Sequence, residues 1–95
     1  MLENLSSRRH NSAPGRPLQG RRALDMAEGI LIGLRRCAPE AAFDELAEAA
    51  RRHRIPIFRM ASALIDLATG DHHGAGAAAH AAAREEWHQL LDGSS

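Results

Sequence analysis

The chain has no lysine and no tyrosine, a single cysteine, and only three aromatic side chains, Phe43, Phe58 and Trp87. Each scarcity removes a class of reading. One cysteine, Cys37, cannot build an internal disulfide framework, so nothing points to an oxidising compartment. Aromatics this sparse do not form the stacking platform that sheet-based RNA readers offer to unpaired bases. No apolar run approaches the roughly 20 residues needed to cross a bilayer. The sequence also lacks a basic segment leading into an apolar stretch and a cleavage site, so a cytoplasmic protein without membrane contact is expected. No G-x-S-x-G, phosphate-binding glycine loop or paired-cysteine motif is present. An enzyme, a cofactor and a deep ligand pocket are therefore not expected.

What the chain does have is arginine. All twelve basic side chains are Arg, balanced by twelve acids in 95 residues. GC-rich coding accounts for much of that bias, but the guanidinium fork still suits phosphate and base edges better than an ammonium does. The balance is uneven along the chain. Residues 1–22 carry five Arg against one acid, residues 23–69 carry six against seven, and residues 70–95 carry one against four. A basic start, a near-neutral middle and an acidic end follow.

Residues 1–20 mix Ser, Asn, Gly, Pro and Arg without apolar periodicity, and Pro14-Gly15-Arg16-Pro17 interrupts any helix there, so a disordered basic tail is expected. From Arg21 the spacing turns helical. Leu24, Ala27, Leu31 and Leu34 fall on one face, with Ala23 and Ile30 beside it, which predicts a first helix ending near Arg36. Pro39 suits the first position of a second helix and Glu40 its N-terminal dipole. That helix reaches Arg52 or His53 and buries Ala42, Phe43, Leu46, Ala49 and Ala50, with Phe43 and Leu46 expected between helices one and three. Pro56 opens a third helix that buries Ile57, Met60, Ala61, Leu64 and Ile65 and stops at Thr69-Gly70. After Asp71-His72-His73-Gly74, an Ala-rich fourth helix over about Gly76 to Leu91 carries Ala83, Trp87, Leu90 and Leu91 on one face, which must dock on the bundle or on a second chain. The division is thus a tail over 1–20, a three-helix domain over 21–69, and a loop with a C-terminal helix over 70–95. With about 50 residues to form its core, such a domain depends on tight packing or a partner.

Candidate contacts follow the arginines. Arg51, Arg52 and Arg54 lie at the second helix-to-helix junction, Arg59 begins the third helix, and Arg35 and Arg36 end the first. These cations can converge on one side of a small bundle, although Arg at a helix C-terminus also simply complements the dipole. Phe58, beside Arg54 and Arg59, is the aromatic expected to reach solvent and stack on a base. Gly29 and Gly33 sit inside the first helix at about 1 kcal/mol each relative to Ala. Close approach of another helix is the expected compensation, and backbone contact with nucleic acid the alternative. Among the six histidines, the nearest metal-ligating group, Asp71, His72, His73 and His80, fits no zinc spacing, so no metal site is expected. No helix-turn-helix pattern or concentrated basic recognition helix supports DNA reading.

The order Ala27-Glu28-Gly29-Ile30-Leu31-Ile32, then Ala42-Phe43 with Leu46 and Ala49, then Ile57-Phe58-Arg59-Met60-Ala61 with Leu64 and Ile65 resembles the ANTAR domain. The resemblance implies an all-α, three-helix module that binds paired hairpins in nascent RNA as a transcription antitermination regulator of bacteria. The chain would be an ANTAR-like bundle followed by an extra helix, with Arg21, Arg22, Arg35, Arg36, Arg51, Arg52, Arg54, Phe58 and Arg59 as RNA contacts and a homodimer or a separate sensor protein as further partner. Two positions depart from the family pattern. Ile32 stands where Met is common, and Glu28 where the family usually carries Lys, placing repulsion where a phosphate contact would be. The competing reading is a degenerate ANTAR fold that serves as a protein-interaction or dimerisation module without RNA binding.

Overall fold

The computed structural model describes residues 20–71 and 75–92, which form four helices: α1 Gly20–Arg35, α2 Pro39–His53, α3 Ile57–Thr69 and α4 Ala77–Leu91. Of the tail expected over residues 1–20, Gly20 begins α1 instead, and residues 1–19 lie outside the described residues, as do the loop residues His72, His73 and Gly74. Proline places two of the helix starts. Pro39 opens α2 at a position where its missing N–H is not needed, and the carbonyl of Pro56 accepts the first backbone bonds of α3, from the N–H groups of Arg59 and Met60 at 3.0 and 2.9 Å. Gly70, at φ 82°, closes α3 by donating to the Asp66 carbonyl at 2.7 Å.

The bundle is organised around α3, which packs against α1 on one side and α4 on the other, with α2 laid across them. Its Met60, Ala61, Ala63, Leu64 and Ile65 are buried. The facing stripes are mostly alanine: Ala23 and Ala27 with Leu24 and Leu31 on α1, Ala42, Ala49 and Ala50 with Leu46 on α2, and Ala79, Ala82 and Ala83 with Trp87 on α4. Small side chains let the helix axes approach closely, and a few large ones fill what remains. Trp87 is the largest fully buried side chain, so the fourth helix docks within its own chain. Leu90 and Leu91 are half-buried against the same core.

Three expectations fail here. Phe43 is 41% exposed and Leu34 42% exposed, so neither belongs to the core. Phe43 stands at the edge of the inward stripe, 100° round from Ala42 and beyond Ala50, and the large aromatic inside the bundle is Trp87. Leu34 shares the side of α1 that carries Ala27, seven residues earlier, but stands exposed in the last turn of the helix. Gly29 and Gly33 are not sites of close helix approach either, because a Cβ built on either would meet no atom within 4 Å. They face open space.

Polar ties fix α4 to its neighbours. The indole N–H of Trp87 donates to Glu45 Oε2 at 2.8 Å, and the same carboxylate accepts Arg35 Nε at 2.8 and 3.0 Å, so Glu45 joins α1, α2 and α4. Two turns along α2 from Glu45, Arg52 donates from Nε and Nη2 to Glu86 at 3.0 and 3.1 Å, and the same carboxylate lies 2.8 Å from His53 Nε2. Between α3 and α4, His80 Nε2 meets the buried carboxylate of Asp66 at 2.8 Å.

Candidate nucleic-acid interface

Five of the nine candidate contacts fall within residues 51–59, where α2 ends and α3 begins. Arg51, Arg52, Arg54, Phe58 and Arg59 are all exposed, Phe58 at 47%. The turn that gathers them is closed by an arginine instead of a glycine. Arg54 adopts the left-handed conformation at φ 58°, its N–H reaches the carbonyls of Ala50 and Arg51, and Ile55 N–H reaches back to Ala50 at 2.9 Å. Arg36 does the same at the end of α1, at φ 55° with its N–H donating to Ile32 at 2.8 Å. These are the only left-handed non-glycine residues among those described. A side chain held in that region costs of order 1 kcal/mol or more, which glycine would avoid.

Other cations also sit where helix physics disfavours them. Arg59 occupies the first turn of α3, and Arg21 and Arg22 the first turn of α1, next to the positive ends of those dipoles. Arg59 reaches toward the start of α4, its Nη1 3.7 Å from where a Cβ of Gly76 would stand. Phe58, beside it in the same turn, presents an uncovered aromatic face.

Not every arginine is equally available. Arg51 pairs with Glu48 one turn earlier at 2.7 Å, an exposed contact of little strength. Arg52 is held by both oxygens of Glu86, and Arg35 by Glu45, seven residues before Arg52 along α2 and therefore about 10 Å away. Arg21, Arg22, Arg36, Arg54 and Arg59 make no ion pair with another described residue. Sequence reasoning did not find Glu45 or Glu86, since their partners lie 10 to 42 residues away and no local spacing signals them.

The Glu86 carboxyl is held below the ordinary glutamate range, first by its hydrogen bond to Arg52 and further by His53, against the opposing effect of burial. Arg52 is correspondingly pushed up by the same bond. A lowered folded-state value means the stabilisation is fully present above the unfolded glutamate pKa and is lost as pH falls through the folded one. Glu86→Gln should therefore lower the melting midpoint at neutral pH by a few degrees. Circular-dichroism melts of wild type and variant should converge as pH falls below the ordinary glutamate value of about 4.3 and through the lowered folded one. A midpoint difference independent of pH would show that the carboxylate charge contributes nothing.

On the α1–α2 side the chemistry is different. Glu28, Pro39, Glu40, Phe43 and Asp44 line a shallow depression that carries three carboxylates and no cation. Glu28 forms no ion pair with Arg21 or Arg35, and Arg35 is committed to Glu45. Among the described residues no three His, Cys, Asp or Glu side chains group to hold a metal ion, and no helix is long and apolar enough to cross a membrane.

The model of one protein family, described as the ANTAR domain, matches residues 16–65, slightly more than half of the chain, and so covers α1, α2 and most of α3 while leaving α4 outside. No curated protein and no solved structure matches the chain.

Proposed function

The chain belongs to the ANTAR domain family, non-catalytic modules whose general role is RNA-binding antitermination regulation, and we propose on that premise that it recognises hairpin loops in nascent RNA through the α2–α3 junction. Arg51, Arg52, Arg54 and Arg59 neutralise phosphates around a loop, and Phe58 stacks on one unpaired base. Arg21, Arg22, Arg35 and Arg36 are outlying cations that extend the phosphate track. Binding in the cytoplasm would favour a hairpin that excludes a terminator, with a separate sensor protein as the source of the signal.

The observation that carries this reading is Arg54. Glycine at that position would close α2 with less strain, and a strained side chain at an exposed turn is retained where the side chain itself is used. Arg54→Gly separates the two roles. Its melting midpoint should stay level or rise by up to about 1 kcal/mol of stability, while its affinity for a two-hairpin RNA should fall several-fold and the salt dependence of binding should flatten by about one phosphate contact. Fluorescence anisotropy at two salt concentrations measures both. Unchanged affinity in a folded Arg54→Gly protein would remove the junction from the interface.

The acidic depression around Glu28, with half-exposed Phe43 at its edge, favours the second reading, a protein-interaction module without RNA binding. Wild-type protein that binds the two-hairpin RNA no better than an unrelated RNA would establish that reading in place of the first.

A further inference from the structure

α4 lies beyond residues 16–65, the part of the chain that matches the family, yet it is the helix that reaches into the arginine cluster. Its Glu86 accepts Nε and Nη2 of Arg52 at 3.0 and 3.1 Å and stands 2.8 Å from Nε2 of His53, both residues in the last turn of α2. The carboxylate offers two oxygens to one edge of the guanidinium. A phosphate offers two oxygens to the same edge, so only one of the two anions can hold that fork at a time. Held below the ordinary glutamate range by Arg52, Glu86 is ionised at neutral pH and meets RNA as an anion.

Its place is set before any RNA arrives. Trp87, the next residue, is wholly buried and donates to Glu45 at 2.8 Å, and nearer the start of α4 His80 meets Asp66 at 2.8 Å. Those contacts carry the docking of α4. Arg52 is 55% exposed, open enough for a phosphate to approach it, while Glu86 beneath it is 19% exposed. Glu48 and Glu85 act on Arg52 in the same sense, and Glu48 pairs directly with Arg51 at 2.7 Å. Two of the four arginines at the junction are thus matched by carboxylates, whereas Arg54 and Arg59 make no ion pair with another described residue.

Resting on the RNA reading of that junction, we infer that Glu86 is an internal competitor for RNA phosphate at Arg52, through which α4 holds the affinity of the junction below what its arginines could reach. A phosphate gains Arg52 only by displacing Glu86, and the displaced carboxylate then repels it at close range. Phosphate contacts carry no sequence information, so the competition lowers binding to any RNA strand. Discrimination is left to Phe58 and Arg54, which face no such competitor.

Fluorescence anisotropy of the full chain, with a two-hairpin RNA and with an unrelated RNA of equal length at several salt concentrations, tests the inference. Glu86→Gln should bind both RNAs several-fold more tightly than wild type, with a salt dependence steeper by about one phosphate contact. The variant should stay folded, since Trp87 and the Asp66–His80 pair remain. Arg52→Ala should weaken binding more in the Glu86→Gln protein than in wild type, because only there is the guanidinium released to RNA. A folded Glu86→Gln protein that binds neither RNA more tightly overturns the inference, as does a gain that persists undiminished in the double variant. The RNA reading fails separately, when wild type prefers the two hairpins no more than the unrelated RNA, whichever way Glu86→Gln changes affinity.

Discussion

Trp87→Ala should leave the protein largely unfolded at body temperature. The side chain is wholly buried, and it is the largest in a core otherwise made mainly of alanine. Truncating such a residue costs about 3 to 5 kcal/mol, because neighbouring alanines have no side chains that can swing into the cavity. It also strips Glu45 of the indole N–H that it accepts at 2.8 Å. A small helical domain has only about 5 to 10 kcal/mol in total. Circular-dichroism melts read the loss directly, and a midpoint within a degree or two of wild type would contradict the docking of α4. Wild-type Trp87 fluorescence should be blue-shifted and unchanged on dilution, since the indole is covered by its own chain.

His80→Ala is expected to be the next most damaging change, at about 2 to 3 kcal/mol. Asp66 is only 2% exposed, and its carboxylate meets His80 Nε2 at 2.8 Å across the α3–α4 contact. Removing the imidazole leaves a buried acceptor without that partner, a heavier penalty than the loss of an exposed ion pair. Adding Asp66→Asn to His80→Ala should recover part of the stability, because the amide removes the charge while keeping hydrogen-bonding atoms. Chemical denaturation of the single and double variants would reveal a merely steric role for His80 as equal midpoints.

The helices were legible because their signals are local. Intervals of three and four residues through Leu24, Ala27 and Leu31, prolines at 39 and 56, and glycines at 70 and 76 set the four elements within a residue or two of where they stand. The arginine cluster at residues 51–59 was legible for the same reason. Which edge of an apolar band turns inward is a tertiary matter. In α2 the apolar residues 42, 43, 46, 47, 49 and 50 span a wide arc, and the choice between Ala42 and Phe43 for the inward stripe depends on α3 and α4. Leu34 has the right phase for the core, seven residues after Ala27, but stands exposed in the last turn of α1, and where neighbouring helices stop covering a stripe is not written in its spacing. The glycines of α1 were assigned to packing on their small size alone, and that reasoning holds only if something approaches them. The ties of Glu45 and Glu86 were not legible, since a carboxylate's partner on another helix leaves no trace in local spacing.

These ties bear on the central claim, because Glu45 and Glu86 engage Arg35 and Arg52 while Arg54 and Arg59 make no ion pair with another described residue. The reading therefore rests on a small number of exposed cations and one uncovered aromatic ring at a single helix junction. Crosslinking the full chain to RNA in the cell that encodes it, followed by sequencing of the bound fragments, tests it most directly. Enrichment of paired hairpins upstream of genes, lost in Arg54→Gly, is the predicted result; fragments with no shared hairpin, recovered equally with wild type and the variant, would contradict it.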